Sequence, residues 1–509
     1  MKKCYFLFIC TVTVLFLNCK KDDGSLPVDD TPEDVIENPE TDILDFSPGL
    51  GARGTQVTIR GENFDPEPEG NEVQFNGMLA QVESASDTTL VVIVPEDATT
   101  GKISLSANGY DYTSFQDFTV LLPPPIISDF EPKTGVEGDE VTITGDHFGE
   151  GNYIVKVYFE GSNIPAEILS ITDTQIIVKV PDANSGELRV VVQPQEGISD
   201  SEFTYLPWRQ MKDFEHESRR FAAVGTVGDD VFMGLGLGSS GNNLSDFWKY
   251  QSQTDTWTQL PNFPGNPRFG TFHFVLNGHI YVGGGTDNSS EAGPNDFYRY
   301  DPATNTWTQL SDFPANPDKE RQFSSSFAID GKGYVYGGVD HGVEPFYDDL
   351  WVYDPETDTW SEKAGFEIAG RAGAVGFSIN GKGYIATGFR DQPPLLSDVW
   401  EYNPINDSWT QKTSLPQGME RYSSFGFSLK GKGYLGMGID EEDNLLKDIW
   451  EFDPMENGGA GSWIKKSDFP AEERYFPMAV ATDEKAIIGL GLGLLYLSDI
   501  WEYTPRHDE

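Results

Sequence analysis

The chain reads as all-β: two copies of a small β-sandwich followed by a closed ring of six repeated β units. Three observations carry that reading. Aromatic residues make up 13% of the 509 residues, beside 54 Gly and 32 Pro, the composition of many short strands joined by tight turns. Two stretches 84 residues apart, Asp45 to Phe64 and Asp129 to Phe148, repeat one another. Beyond Leu206 the period changes to roughly 50 residues and holds for six copies.

Length alone requires several domains, because a single hydrophobic core stops growing well short of this size. With 35 Lys+Arg against 82 Asp+Glu the net charge is −47, and no basic stretch breaks it, so nucleic-acid binding is excluded. The three cysteines, Cys4, Cys10 and Cys19, all lie in the first 19 residues. The rest of the chain therefore has no disulfide, thiolate metal site or cysteine nucleophile.

At the N-terminus, Lys2 and Lys3 precede an uncharged apolar run from Cys4 to Leu17. The run is too short to span a bilayer comfortably and has the form of a signal peptide, residues 1–18. The segment Leu15-Phe16-Leu17-Asn18-Cys19 resembles a bacterial lipobox, which implies acylation of Cys19 and an outer-membrane lipoprotein. The Lys20-Lys21-Asp22-Asp23 run is similar to an acidic surface-export signal. Residues 19–42, rich in acids and proline, read as a flexible tether. The expected location is the cell surface.

The first repeat pair, residues 43–122 and 123–205, shares more than its opening. Val73-Gln-Phe-Asn-Gly77 matches Val157-Tyr-Phe-Glu-Gly161, and Val94-Pro95 matches Val180-Pro181. Alternating runs such as QVTIRG and KISLSA, broken by Gly, Pro and Asn, give the pattern of a small antiparallel sandwich. The shared P-x-x-G-x-x-G-x-x-V-T-I-x-G-x-x-F pattern resembles the IPT/TIG family of immunoglobulin-like domains. That resemblance implies a spacer role, with Pro123-Pro124-Pro125 stiffening the joint.

In residues 206–509, Asp246-Phe-Trp248 recurs as Asp296-Phe-Tyr298, Asp349-Leu-Trp351, Asp398-Val-Trp400, Asp448-Ile-Trp450 and Asp499-Ile-Trp501. A second Trp follows in five copies, at Trp257, Trp307, Trp360, Trp409 and Trp463, and Trp208 lies upstream to serve the sixth. An N-terminal strand is thus expected to complete the last unit, which closes the ring and hides its edges. Each unit also has an apolar strand ending in glycine, at Gly236, Gly285, Gly338, Gly388, Gly438 and Gly491, where crowding at the axis is expected to exclude a side chain. Together these features resemble kelch repeats. The resemblance implies a six-bladed β-propeller.

Within each four-stranded blade the turns before the innermost strand and after the second strand share one face. There lie Arg220, Arg268, Arg321, Arg371, Arg421 and Arg474, read as one per blade around the channel mouth. Four precede an aromatic, among them Tyr422 and Tyr475. Such a ring suits carboxylates or acidic sugars, since guanidinium binds planar anions through paired hydrogen bonds. The competing reading pairs these arginines with Glu217, Glu320, Glu420 and Glu473. The variable loops after the second strands offer Phe346-Tyr347 and Leu494-Leu495-Tyr496 for stacking on sugar rings or on one another.

Copper-radical sugar oxidases also use kelch-like propellers, but they need a cysteine that this part of the chain lacks. The six histidines show no metal spacing, so neither metal nor cofactor is expected. The expectation is a non-catalytic, surface-anchored binder of an extracellular glycan or acidic small molecule. The alternatives are a sialic-acid mutarotase-like isomerase, with a glutamate at the mouth as acid or base, and a protein-interaction scaffold.

Overall fold

The computed structural model describes residues 43–508 except 122, 150–153, 193, 289–292, 315–319, 341–342, 364–369 and 392–394. The signal peptide, the tether and Cys19 lie outside the described residues. The described residues form two compact units, divided after Leu121.

The first unit is a β-sandwich. One sheet orders Asp45–Ser47, Gln56–Arg60, Thr89–Ile93 and Gln81–Ala85. The other orders Leu50–Ala52, Tyr110–Leu121, Gly101–Ala107, Asn71–Phe75 and Met78–Leu79. Alternation places Val57, Ile59, Leu90, Val92, Ile103 and Phe118 in the core at 2% exposure or less, as a period of two requires. The second sandwich repeats the plan, with Ile126–Glu131, Glu140–Asp146, Gln175–Lys179 and Ile168–Ile171 in one sheet.

This second sandwich is docked on the last blade of the ring. Lys485 bridges Glu137 of the sandwich and Glu502 of the blade, at 3.0 Å to each. His507 packs at a tilt against Tyr205, with ring centres 4.7 Å apart, and its Nε2 meets the Ala183 carbonyl at 3.0 Å. Arg506 pairs with Asp182.

Six four-stranded antiparallel blades follow. In the first, Ala223–Val227, Asp230–Gly234, Phe247–Gln251 and Thr256–Leu260 run from the axis outward. The sixth takes three strands from Met478–Ala481, Ala486–Gly489 and Ile500–Tyr503, and its outermost strand is Trp208–Met211. Trp208 pairs with Tyr503 and stacks on its ring at 4.4 Å. The expected closure is therefore present. The innermost strands touch in sequence and the sixth touches the first, so no edge is left open inside the ring.

The blade-ending glycines have a local reason beyond crowding at the axis. All six have left-handed φ, between 85° and 100°. At Gly285 a Cβ would lie 2.5 Å from the Phe269 carbonyl, and at Gly438 it would lie 2.6 Å from that of Tyr422. A side chain would meet backbone of its own blade.

Candidate functional site at the channel mouth

The arginine ring is a set of internal ion pairs. Arg268, Arg321, Arg371, Arg421 and Arg474 are all 3% exposed or less. Each grips the aspartate of its own blade with both terminal nitrogens. Arg421 reaches Asp448 at 2.6 and 2.8 Å, and Arg371 reaches Asp398 at 2.6 and 2.9 Å. Arg321 holds Asp349 and Arg474 holds Asp499 in the same way, and Arg268 holds Asp296. In four of these five blades the indole N–H two residues on donates to the same carboxylate, as Trp450 does to Asp448 at 2.7 Å. These five arginines are corrected from ligand-binding to structural residues. Their partners are the repeat aspartates, not the glutamates considered from sequence.

Burial pushes the carboxyls of Asp246, Asp349, Asp398 and Asp448 up, but hydrogen bonds and charge from the arginine more than offset it, with the indole N–H helping. All four are held below the usual aspartate value.

In the first blade the residue in this role is Arg219, not Arg220. Arg219 is buried and holds Asp246 at 2.6 and 2.7 Å. Arg220 is displaced by one position, into the row occupied in the other blades by Phe269, Gln322, Ala372, Tyr422 and Tyr475. This row pairs through its backbone with the loops beyond the blade-ending glycines, for example Tyr475 with Leu492. It forms the channel mouth.

The next row turns inward. Phe221, Gly270, Phe323, Gly373, Ser423 and Phe476 all have left-handed φ, between 50° and 67°. Phe323 and Phe476 come from opposite blades, yet their rings lie 5.8 Å apart, and Phe221 touches both at 5.0 and 3.8 Å. Contact across the axis closes the channel with an aromatic plug, which is the floor of the mouth.

Arg220 sits above that floor, partly buried. Its Nη1 donates to the Tyr475 hydroxyl at 2.7 Å, and its guanidinium lies over the rings of Phe221, Tyr475 and Tyr496 at 4.9, 5.6 and 5.9 Å. Its Nε is buried without a hydrogen-bond partner. Among the described residues no carboxylate lies within ion-pair distance of it. The structure thus brings Arg220, Tyr475 and Tyr496 together, three of the residues chosen from sequence.

The other candidates have structural partners. Tyr347 stacks on Arg321 at 4.1 Å and donates to the Glu320 carbonyl at 3.2 Å. Phe346 packs edge-on against Phe389 at 5.5 Å, and Tyr422 does so at 5.1 Å. Phe346 and Tyr347 are corrected to loop packing. Glu320 is 1% exposed and accepts from Thr286 and Gln322 at 2.8 and 2.6 Å. Leu494 and Leu495 are 89% and 75% exposed at the rim. Among the described residues no group of three His, Cys, Asp or Glu could hold a metal, and no helix is long and apolar enough to cross a membrane.

Six blades around a plugged channel, with an outer strand supplied from the N-terminal side, define a β-propeller preceded by two β-sandwiches. A family model for the KLHDC2/KLHL20/DRC7 Kelch-repeats domain matches residues 221–438, and the IPT/TIG domain model matches residues 42–120 and 125–205. The chain is a kelch-repeat propeller protein with two N-terminal IPT/TIG domains. Similar curated proteins include N-acetylneuraminate epimerases of Shigella flexneri and Escherichia coli strain K12, each 35% identical over 71 residues. That stretch is 13% of this chain and 19% of those relatives, so the match spans about a fifth of their length. A solved structure described as that of YjhT aligns with 57% of this chain and 96% of its own, at 20% identity and a TM-score of 0.47.

Proposed function

We propose that the channel mouth binds an acidic sugar, with Arg220 as the carboxylate anchor and Tyr475 and Tyr496 as the aromatic walls. One observation carries the reading: Arg220 is the arginine that the repeat does not consume in an ion pair, and its Nε lies buried without a partner. A carboxylate can take Nε together with a terminal nitrogen, the paired geometry that guanidinium favours. The tyrosine faces suit the apolar side of a pyranose ring. Because the chain carries a net charge of −47, long-range forces oppose an anion, and close contacts must hold it.

N-acetylneuraminate is the natural probe, given the curated relatives. Calorimetric titration should show saturable binding that weakens at least about tenfold in Arg220→Ala, from loss of a charge-assisted bond of roughly 1.5–3 kcal/mol. Unchanged affinity in that variant would remove the anchor. The isomerase reading draws support from the epimerase match, and it needs an acid and a base at the mouth. Glu320, a carboxylate of this face, is buried and already engaged by Thr286 and Gln322. Proton NMR of freshly dissolved N-acetylneuraminate separates the two readings. Anomers equilibrating at the buffer rate support binding alone, whereas acceleration abolished by Glu320→Gln supports the isomerase.

We place the protein at the outer-membrane surface on a lipid at Cys19. Membrane fractionation of Cys19→Ser tests this: release into the soluble fraction supports the anchor and unchanged retention opposes it.

A further inference from the structure

Beneath the plug lies a second chamber, which the acidic-sugar reading leaves unused. It is a cavity of about 160 Å³, lined by the inward-turning row, by the residues that immediately precede the innermost strands, and by His273. Its roof is the underside of the Phe221, Phe323 and Phe476 cluster. Its wall contains two buried hydroxyls without a hydrogen-bond partner, Thr271 Oγ1 and Ser423 Oγ, beside the ring of His273. Thr271 is 7% exposed and Ser423 is 2% exposed. Buried hydroxyls are ordinarily satisfied, and each left unpaired costs about 1–3 kcal/mol. Two around one cavity point to something that satisfies them together.

The chemistry of the wall narrows what that is. No lining side chain is an acid, a lysine or an arginine. His273 adds no charge near neutral pH, because burial lowers it to about 4 against a small opposing effect of the Thr271 carbonyl. An ion therefore has no counter-charge here and would be costly to desolvate. Hydroxyls and an imidazole nitrogen face aromatic carbon, so the best-matched guest has hydroxyls on one edge and C–H groups on another. Water satisfies the first requirement but gains nothing from the phenyl roof, whereas apolar groups displacing loosely held water there gain affinity.

We propose that this inner chamber is a second binding site, distinct from the Arg220 mouth, for a small neutral polyhydroxylated molecule of monosaccharide size. The plug separates the two compartments, so the guest enters from the face of the tight turns joining the first and second strands.

The test follows the His273 ring by ¹H–¹³C NMR of the full chain, titrated with D-glucose, D-galactose and glycerol. A saturable shift of the His273 resonance with at least one probe, with His147 of the second sandwich unmoved, is expected. Thr271→Val keeps the side-chain shape. Ser423→Gly suits a position whose counterparts, Gly270 and Gly373, have the same left-handed φ. Each should weaken the response about fivefold, the value of one hydrogen bond of roughly 1 kcal/mol, with no fall in melting temperature. Arg220→Ala should leave the response as in the wild type. A strictly linear or absent response to all three probes means a chamber filled by water alone and overturns the proposal. So does a saturable response that survives both wall variants, or one lost in Arg220→Ala.

Discussion

Replacing Arg421 with alanine removes a guanidinium that is 0% exposed and holds five contacts at once. It donates to Asp448 at 2.6 and 2.8 Å, to the Met419 carbonyl at 3.0 Å, to the Met437 carbonyl at 3.4 Å and to the Met419 sulfur at 3.4 Å. After the change, Asp448 keeps the Trp450 indole at 2.7 Å and only the more distant charge of Lys465. Breaking a buried pair from one side costs about 3–5 kcal/mol, because the remaining charge stays desolvated. For a domain of this size that corresponds to a fall in melting temperature of roughly 6–10 °C. Thermal melting followed by tryptophan fluorescence is the assay, with Arg220→Ala as the control. The control should stay within about 1 kcal/mol of wild type yet lose acidic-sugar binding. Arg421→Met combined with Asp448→Leu should recover much of the loss, since no charge is then stranded. Wild-type melting of Arg421→Ala, accompanied by lost binding, would refute the assignment of this ring to structure and return it to the ligand.

Two further outcomes follow from the same geometry. Because Asp246, Asp349, Asp398 and Asp448 are held below the ordinary aspartate value of 3.8, their contribution is complete above that pH and is lost as pH falls through the lower folded values. His273, lowered from 6.5 to about 4, acts earlier: stability declines from pH 6.5 towards 4 as the unfolded chain takes up the proton first. His273→Gln should flatten that upper segment of a melting-temperature profile and leave the acid limb in place. At the ring closure, Trp208→Ala deletes a side chain stacked on Tyr503 and edge-on to Phe469. A loss of about 3–5 kcal/mol in denaturant unfolding is expected, and an unchanged midpoint would mean that this strand does not close the ring.

Much of the fold was legible because it is written in periods. The 84-residue offset, the D-x-[WY] repeats and the upstream Trp208 each reflect a local pattern that recurs, and recurrence survives without knowledge of any contact. The site was only partly legible. Arg219 lies 17 residues before Gly236, the same interval as Arg268 before Gly285 and Arg421 before Gly438. That constant spacing marks Arg219 as the repeat arginine and Arg220 as the exception. The signal was present, but two adjacent arginines hid it behind the more conspicuous R-aromatic pairs. The pairing with aspartate carried a weaker signal, since the partners stand 25 to 28 residues apart and nearby glutamates competed for the assignment.

The amino-acid order by itself determined the strands, their grouping into two sandwiches and six blades, and the closure of the ring, because these follow from side-chain periodicity and turn chemistry. Which charges are free was decided only in three dimensions. A guanidinium buried against Asp448 and one lying over Tyr475 at the mouth are the same residue type, each followed directly by an aromatic residue. Their difference is one position of register, which sends one inward to an aspartate of its own blade and leaves the other at the mouth. The plug is likewise a tertiary fact, since Phe323 and Phe476 are 153 residues apart in the chain and meet only because a closed ring of six blades sets them on opposite sides of a narrow axis.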